Sequence, residues 1–197
     1  MAEQTLLATD DPDRELVGHA RSGSHRAFGE IVERHGDVVF RVAARIVGPH
    51  EAEDVAQEAF LRAYHSLDRF RGDSHFRSWL LQIVHNTALN AVNRRVPEPV
   101  GSPADADGAD PLPPSARQPA ESLEERERRE RLEMKLRDLR SEHRIVLVLR
   151  DVEGMAYEEI AEVTDTPLGS VKGRLHRARG ELIEILRNNT YDWDLPR

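Results

Sequence analysis

The 197-residue chain carries 28 basic and 36 acidic side chains, a net charge of −8, with 39% hydrophobic and only 5% aromatic residues. It has no cysteine, which excludes disulfides, a thiolate zinc site and a thiol redox sensor within the chain, and no run of apolar residues is long enough to span a membrane. That composition fits a soluble, helix-rich chain of one domain or two small ones. The first basic residue is Arg14, preceded by acids, which is the opposite of a secretory signal and points to the cytoplasm.

Taken in chain order, apolar spacing is helical over residues 1–96. Leu16 and Ala20 share one stripe; Phe28, Ile31 and Val32 form another, with Ser24 placed to cap that helix. Val38, Val42 and Ile46 follow at fourfold spacing and end at Gly48-Pro49. A long helix is expected from about Glu51 to Leu67, with Val55, Ala59, Ala63 and Leu67 on one stripe and Phe60 beside it. Another is expected from about Phe76 to Arg95, with Leu80, Ile83, Val84, Ala88 and Ala91 inward. Strand alternation is absent.

Residues 97–120 hold seven of the eleven prolines and no aromatic residue. Proline removes a backbone donor and glycine resists ordering, so this stretch reads as a tether between two folding units. An acid-and-arginine run follows from Glu121 to Arg140, a solvated helix with pairs such as Glu127 and Arg131 and a sparse series through Leu123, Leu132, Leu136 and Leu139. Ser141 is placed to cap the next helix, through Ile145, Val148 and Leu149, which stops at Gly154.

Residues 157–163 form a short helix with Ile160 and Ala161 inward, broken at Asp165-Thr166-Pro167. Thr166 is expected to cap the next helix and Pro167 to occupy its first position. That helix places Val171, Leu175, Ala178, Leu182 and Ile185 on one stripe, with Lys172, Gly173, His176 and Arg177 on the other side. Two helices joined by a tight turn, the second basic on its outer face, fit a helix-turn-helix that enters the major groove. A basic helix laid on an acidic partner has the same pattern. The overall acidity does not decide between them, because residues 166–180 contain four basic side chains and no acid, and screening makes charge matter only within about 8 Å. The histidines show no metal-ligand spacing, and no nucleophile–base pattern suggests an enzyme; no cofactor and no metal is expected.

The motif YEEIAEVTDTPLGSVKGRLHRARGEL, preceded by SEHRIVLVLRDVEGM, resembles region 4 of sigma factors of the extracytoplasmic-function type. EDVAQEAFLRAYHSLDRF resembles their region 2.2, and FRSWLLQIVHNTALNAVNRR their regions 2.3 and 2.4. The resemblance covers about 150 of the 197 residues, in the family's order. It implies an all-α chain of two small helical domains, region 2 in 1–96 and region 4 in 121–197, joined by a flexible linker over 97–120. It implies a function without chemistry: binding core RNA polymerase, through its β′ clamp helices and β flap, and aiming it at promoter DNA. It also implies restraint by an anti-sigma factor, with no stable membrane insertion of this chain.

The residues carry over one by one. Asp54, Gln57 and Glu58 match the polymerase-docking positions, though their spacing alone favours a solvated acidic face. Arg71, Gly72, Asp73, Ser74, His75 and Phe76 match the loop that holds a flipped −10 base, and Asn86 matches a base-reading position, with Asn90 one turn on; capping a buried carbonyl is the other job open to Asn86. Arg77, Arg94 and Arg95 are expected at phosphates. Phe76 and Trp79 are candidates to stack on bases, core packing being the other job open to Trp79. For the −35 element the expected contacts are Thr166, Ser170, Lys172, Gly173, His176 and Arg177, with Arg174 and Arg179 at flanking phosphates. Ala156 stands where the family often has a capping Ser or Thr.

Overall fold

The computed structural model describes residues 11–95, 131–132 and 134–188. The expected tether over 97–120, the start of the acid-and-arginine run with its Glu127–Arg131 pair, and the first ten residues lie outside them. Among the described residues the structure is helical without a strand, as an all-α chain requires.

Helix α1 (Arg14–Arg21) buries Val17 and Ala20 and ends at Gly23, whose φ of 92° suits glycine. Ser24 then caps α2, its hydroxyl accepting the Ala27 N–H at 3.2 Å. The two stripes read from the sequence belong to a single helix, α2 (His25–Val47). His35 hides the continuity: it occupies the core position between Ile31 and Val38 and is itself buried. Its partner is Asp13, whose carboxylate lies 2.8 Å from His35 Nε2 and 2.6 Å from Arg34 Nη1. Burial alone would raise the Asp13 pKa, but the hydrogen bonds and charges of His35 and Arg34 hold it below the ordinary 3.8.

Gly48, again at positive φ, turns the chain into α3 (Pro49–Ser66), with proline at the helix start. Its inner stripe is Ala52, Val55, Ala56, Ala59 and Ala63, small residues that let neighbouring backbones approach closely. A 3-10 turn (Leu67–Arg69) leads to the loop before α4 (Phe76–Arg95). The N-terminal segment ties down that loop. Asp11 accepts the Phe76 N–H at 2.7 Å through one carboxylate oxygen and the Asp13 N–H at 2.9 Å through the other. Asp11 thus does for α4, from 65 positions away, what a local cap residue does elsewhere.

In the C-terminal half, Leu136 and Leu139 are buried ahead of α5 (Ser141–Leu147), which widens into a π turn over Val148–Val152. Ser141 does not cap: the cap position falls on Arg140 and Ser141 opens the helix, its side chain exposed. Helix α6 (Tyr157–Thr164) begins after Ala156, whose N–H donates to Glu159 Oε2 at 2.7 Å. Alanine has no oxygen to return the favour, so only half of a capping box forms. Asp165, left-handed at φ 47°, turns the chain into α7 (Leu168–Arg187). The cap of α7 falls on Pro167, not Thr166, whose hydroxyl instead donates to the Thr164 carbonyl at 3.0 Å.

The two halves share a core. Helix α4 packs on α2 and α3 with Leu80, Val84 and Ala88, while Ser78 and Gln82 on another face bond to α6: Ser78 Oγ to Glu159 Oε1 at 3.3 Å, Gln82 Nε2 to the Glu162 carbonyl at 3.0 Å. Helix α2 meets α5, where Arg144 donates to the Arg45 carbonyl at 3.0 Å. The buried apolar cluster runs through both halves without a break.

Two predictions follow from these ties. Replacing the Asp11 cap by alanine should lower stability by about 1 kcal/mol and speed amide exchange across residues 71–78, read by hydrogen exchange with a urea melt. His85, on α4, is buried with Nδ1 unpaired, and burial followed by the nearby Arg174 charge pushes its pKa down to about 4 from 6.5. A depressed histidine is neutral when folded, so its contribution is complete above pH 6.5 and is lost as pH falls toward 4. The loss should be on the order of 3 kcal/mol. Urea midpoints measured from pH 7 to 4.5 should fall less steeply in His85→Gln than in the unmodified chain.

Candidate nucleic-acid interface

Helices α6 and α7 make the helix-turn-helix. Val171, Leu175 and Ala178 of α7 are buried, so the opposite face is set by the helical period, and Lys172, His176 and Arg177 are exposed on it with Ser170 at its start. Gly173 lies in the same face; a Cβ there would sit 3.7 Å from the Arg177 guanidinium, so the glycine leaves that side chain room to lie along the helix. Lys172 also approaches the Tyr157 ring of α6.

The flanking arginines are engaged within their own half. Arg174 donates to the Thr166 hydroxyl at 3.0 Å and lies 3.6 Å from Glu142. Arg179 grips Asp151 through two hydrogen bonds, 3.1 and 2.6 Å, which raise its pKa above the ordinary value. A phosphate at either flank has to displace an existing partner, whereas exposed Arg177 lies along the helix beside Gly173 and exposed Lys172 beside the Tyr157 ring.

In the N-terminal half the loop Arg71–His75 stands ahead of α4. Gly72 has φ 76°, and exposed Arg71 and Asp73 lie 3.5 Å apart. Ser74 and His75 are half-buried, with His75 near the Glu162 carboxylate of α6. Asn86 and Asn90 are both exposed and one turn apart, which places two amides on one free face of α4, with half-buried Trp79 two turns before Asn86 on the same side. Phe76 is not on that face. It is fully buried, its ring 5.6 Å from Phe70 and 5.5 Å from Trp79, so its stacking partners are core rings and the expected contact with a base does not fit this packing. Arg94 is exposed at 3.6 Å from Glu58; the side chain of Arg95 lies outside the described residues.

On α3, Asp54 and Gln57 are exposed and Glu58 is half-buried, opposite buried Val55, Ala59 and Ala63. Glu58 pairs with Arg62. The helical period brings Leu61 to the middle of this face, and it is 61% exposed, the largest exposure among the described large apolar residues. An exposed leucine ringed by Asp54, Gln57 and Glu58 has the apolar centre and polar rim of a protein contact. Its i+7 spacing from Asp54 was the signal available in the sequence.

A second group that sequence reasoning missed lies between the halves. Glu153, just past the π turn, receives Arg41 of α2 at 3.1 and 3.0 Å and Arg77 of α4 at 3.3 Å, and its side chain is 3% exposed. The carboxylate holds the Arg41 pKa above its ordinary value. Arg77, expected at a phosphate, is thus held by an acid of the other half. No group of residues able to hold a metal occurs among those described, and no described helix is long and apolar enough to cross a membrane.

Comparison with known proteins accounts for this pairing of a helix-turn-helix with a second helical unit. The family model for sigma-70 region 2 matches residues 31–97, and that for sigma-70 region 4 matches residues 129–182. The chain is 36% identical over 187 residues to the RNA polymerase sigma-H factor of Pseudomonas aeruginosa, covering 92% of this chain and 97% of that protein. It is 35% identical over 172 residues to the ECF RNA polymerase sigma-E factor of Escherichia coli K12, covering 85% and 90%. Among solved structures, CnrH in complex with the cytosolic domain of CnrY superposes with a TM-score of 0.68 at 30% identity, covering 90% of this chain and 99% of that one. The chain belongs to the sigma-70 family, among the extracytoplasmic-function sigma factors that direct RNA polymerase to promoters.

Proposed function

We propose a division of labour in which α3 docks on the β′ clamp helices of core polymerase, α4 and its preceding loop open and read the −10 element, and α7 reads −35 in duplex form, with the β flap as a further polymerase contact. The units are region 2 in 1–96 and region 4 in 121–197, with 97–120 as the tether. The observation that carries this reading is the coexistence of three exposed surfaces on separate helices: Asp54, Gln57, Glu58 and Leu61 on α3, Asn86 and Asn90 on α4, Lys172, His176 and Arg177 on α7. Strand opening costs stacking of about 1.4 kcal/mol per step, which captured bases must offset; the loop Arg71–His75 and the two asparagines supply donors and acceptors for that capture. Run-off transcription with purified core polymerase over a genomic promoter library tests the whole scheme, and absence of any promoter-directed product overturns it.

Restraint by an anti-sigma factor is part of the proposal. CnrH, similar over 90% of this chain, was solved bound to the cytosolic domain of CnrY, and the contact between halves supplies a form that such a partner can hold. In this scheme the chain works in the cytoplasm, drawn to the membrane only through its partner.

Two substitution series check the assignments. Asp54→Ala with Gln57→Ala, and separately Leu61→Asp, should each weaken core binding about tenfold or more, ~1.4 kcal/mol, with an unchanged circular dichroism spectrum, since none of the three is in the core. A pull-down on the same samples reads it. On α7, Arg177→Ala should cost about 1–3 kcal/mol and relax preference at one base position, whereas Arg179→Ala should weaken all sequences alike and reduce the salt slope by about 1. Transcription from a randomised −35 library at two salt concentrations separates the two patterns.

A further inference from the structure

We propose that Arg41 and Arg77 together form a fork for a backbone phosphate of promoter DNA, and that Glu153 fills this fork when the two halves are packed together. The proposal rests on the assignment of α4 and its loop to the −10 element, and it adds Arg41, which lies outside that assignment, and an internal competitor.

The geometry is that of an occupied anion site. Arg41 offers Nε and Nη2 in parallel to the two oxygens of Glu153, and Arg77 adds Nη2 to one of them and, at 3.4 Å, to the Glu153 carbonyl. A planar guanidinium presents the same two donors to phosphate as to carboxylate. Two arginines around one carboxylate leave a net positive charge, which Asp37, near Arg41, offsets in part. Arg77 is the second residue of α4, so the fork opens beside the first turn of that helix and the loop Arg71–His75.

The competitor has to leave for the promoter to be read. The −10 and −35 elements are about 25 base pairs apart, ~85 Å at 3.4 Å per pair, whereas α7 is about 30 Å long and its partner α6 touches α4 directly. A chain in this arrangement cannot span both elements. Separation of the halves carries Glu153 away with α5 and α6 and leaves both guanidinium groups without that carboxylate, beside the first turn of α4 and the loop Arg71–His75. Glu153 therefore stands in the place of a phosphate, and DNA and the C-terminal half compete for one site.

The test uses the full-length chain and a short mixed-sequence single-stranded DNA, followed by fluorescence anisotropy at several salt concentrations. Glu153→Gln should bind about tenfold more tightly, with a salt slope steeper by about 0.7, the contribution of one further phosphate on a single strand. Arg41→Ala introduced into Glu153→Gln should return both affinity and slope to those of the unmodified chain, and Arg41→Lys should restore the slope with less affinity. Glu153→Asp keeps the charge but shortens the reach by one methylene; it guards against a folding loss and should fall between the two. Unchanged affinity in both Glu153 variants overturns the proposal, as does a slope indifferent to Arg41. Because no polymerase is present, a fork that behaves as expected in a chain unable to support initiation places that failure in the assigned promoter role and leaves the fork standing.

Discussion

A carboxylate buried between two guanidinium groups is costly to leave unpaired and gains little over an apolar contact of the same size when fully paired. Glu153 is therefore weak as glue and strong as a specifier. It fixes which face of the C-terminal half meets α2 and α4, because any other register would strand a charge. The shared core contributes the bulk of the attraction, through Ile160, Val163, Leu80, Leu81 and their neighbours. The bonds Ser78–Glu159 and Gln82–Glu162 extend the same register along α4. The polar residues singled out on the surface are in consequence treated unequally: the outer faces of α3 and α7 are exposed, whereas Arg77 and His75 face acids of the other half.

The helices with clear periodicity were legible in the sequence. Helix α4 spans Phe76–Arg95 as its apolar spacing indicates, Ser24 caps α2, and the helix-turn-helix falls where Thr166-Pro167 interrupts the pattern. Periodicity reports one buried face, however, and α4 has two. Its doublets Leu80-Leu81 and Ile83-Val84 carry apolar residues round the helix, which is the sign of a helix covered on more than one side. The partners of the second face come from beyond the undescribed stretch, and no local rule names them.

Where single residues were misread, a polar or aromatic side chain had two jobs open to it. His35 looks like a break in a stripe because its burial depends on Asp13, 22 positions away. Phe76 looks like a stacking platform because the loop motif includes it, yet Phe70 and Trp79 already supply its ring partners. Thr166 and Ser141 carry the right oxygen for a cap one residue away from where the helix turns. Arg41 and Glu153, 112 positions apart, carry no local signal of their pairing, which only the fold brings about.

The reach of Asp11 has a bearing on how such a chain can vary. Its carboxylate meets the first amide of α4 while its other oxygen and the neighbouring Asp13 fix the same segment to α2. The loop Arg71–His75 is thereby anchored at both ends, by the 3-10 turn on one side and by a residue near the chain start on the other. An insertion in that loop would have to bulge outward, because neither anchor can slide. Loop length is thus held by a segment remote in sequence, and variation there is channelled into the identity of its side chains, not into the number of its residues.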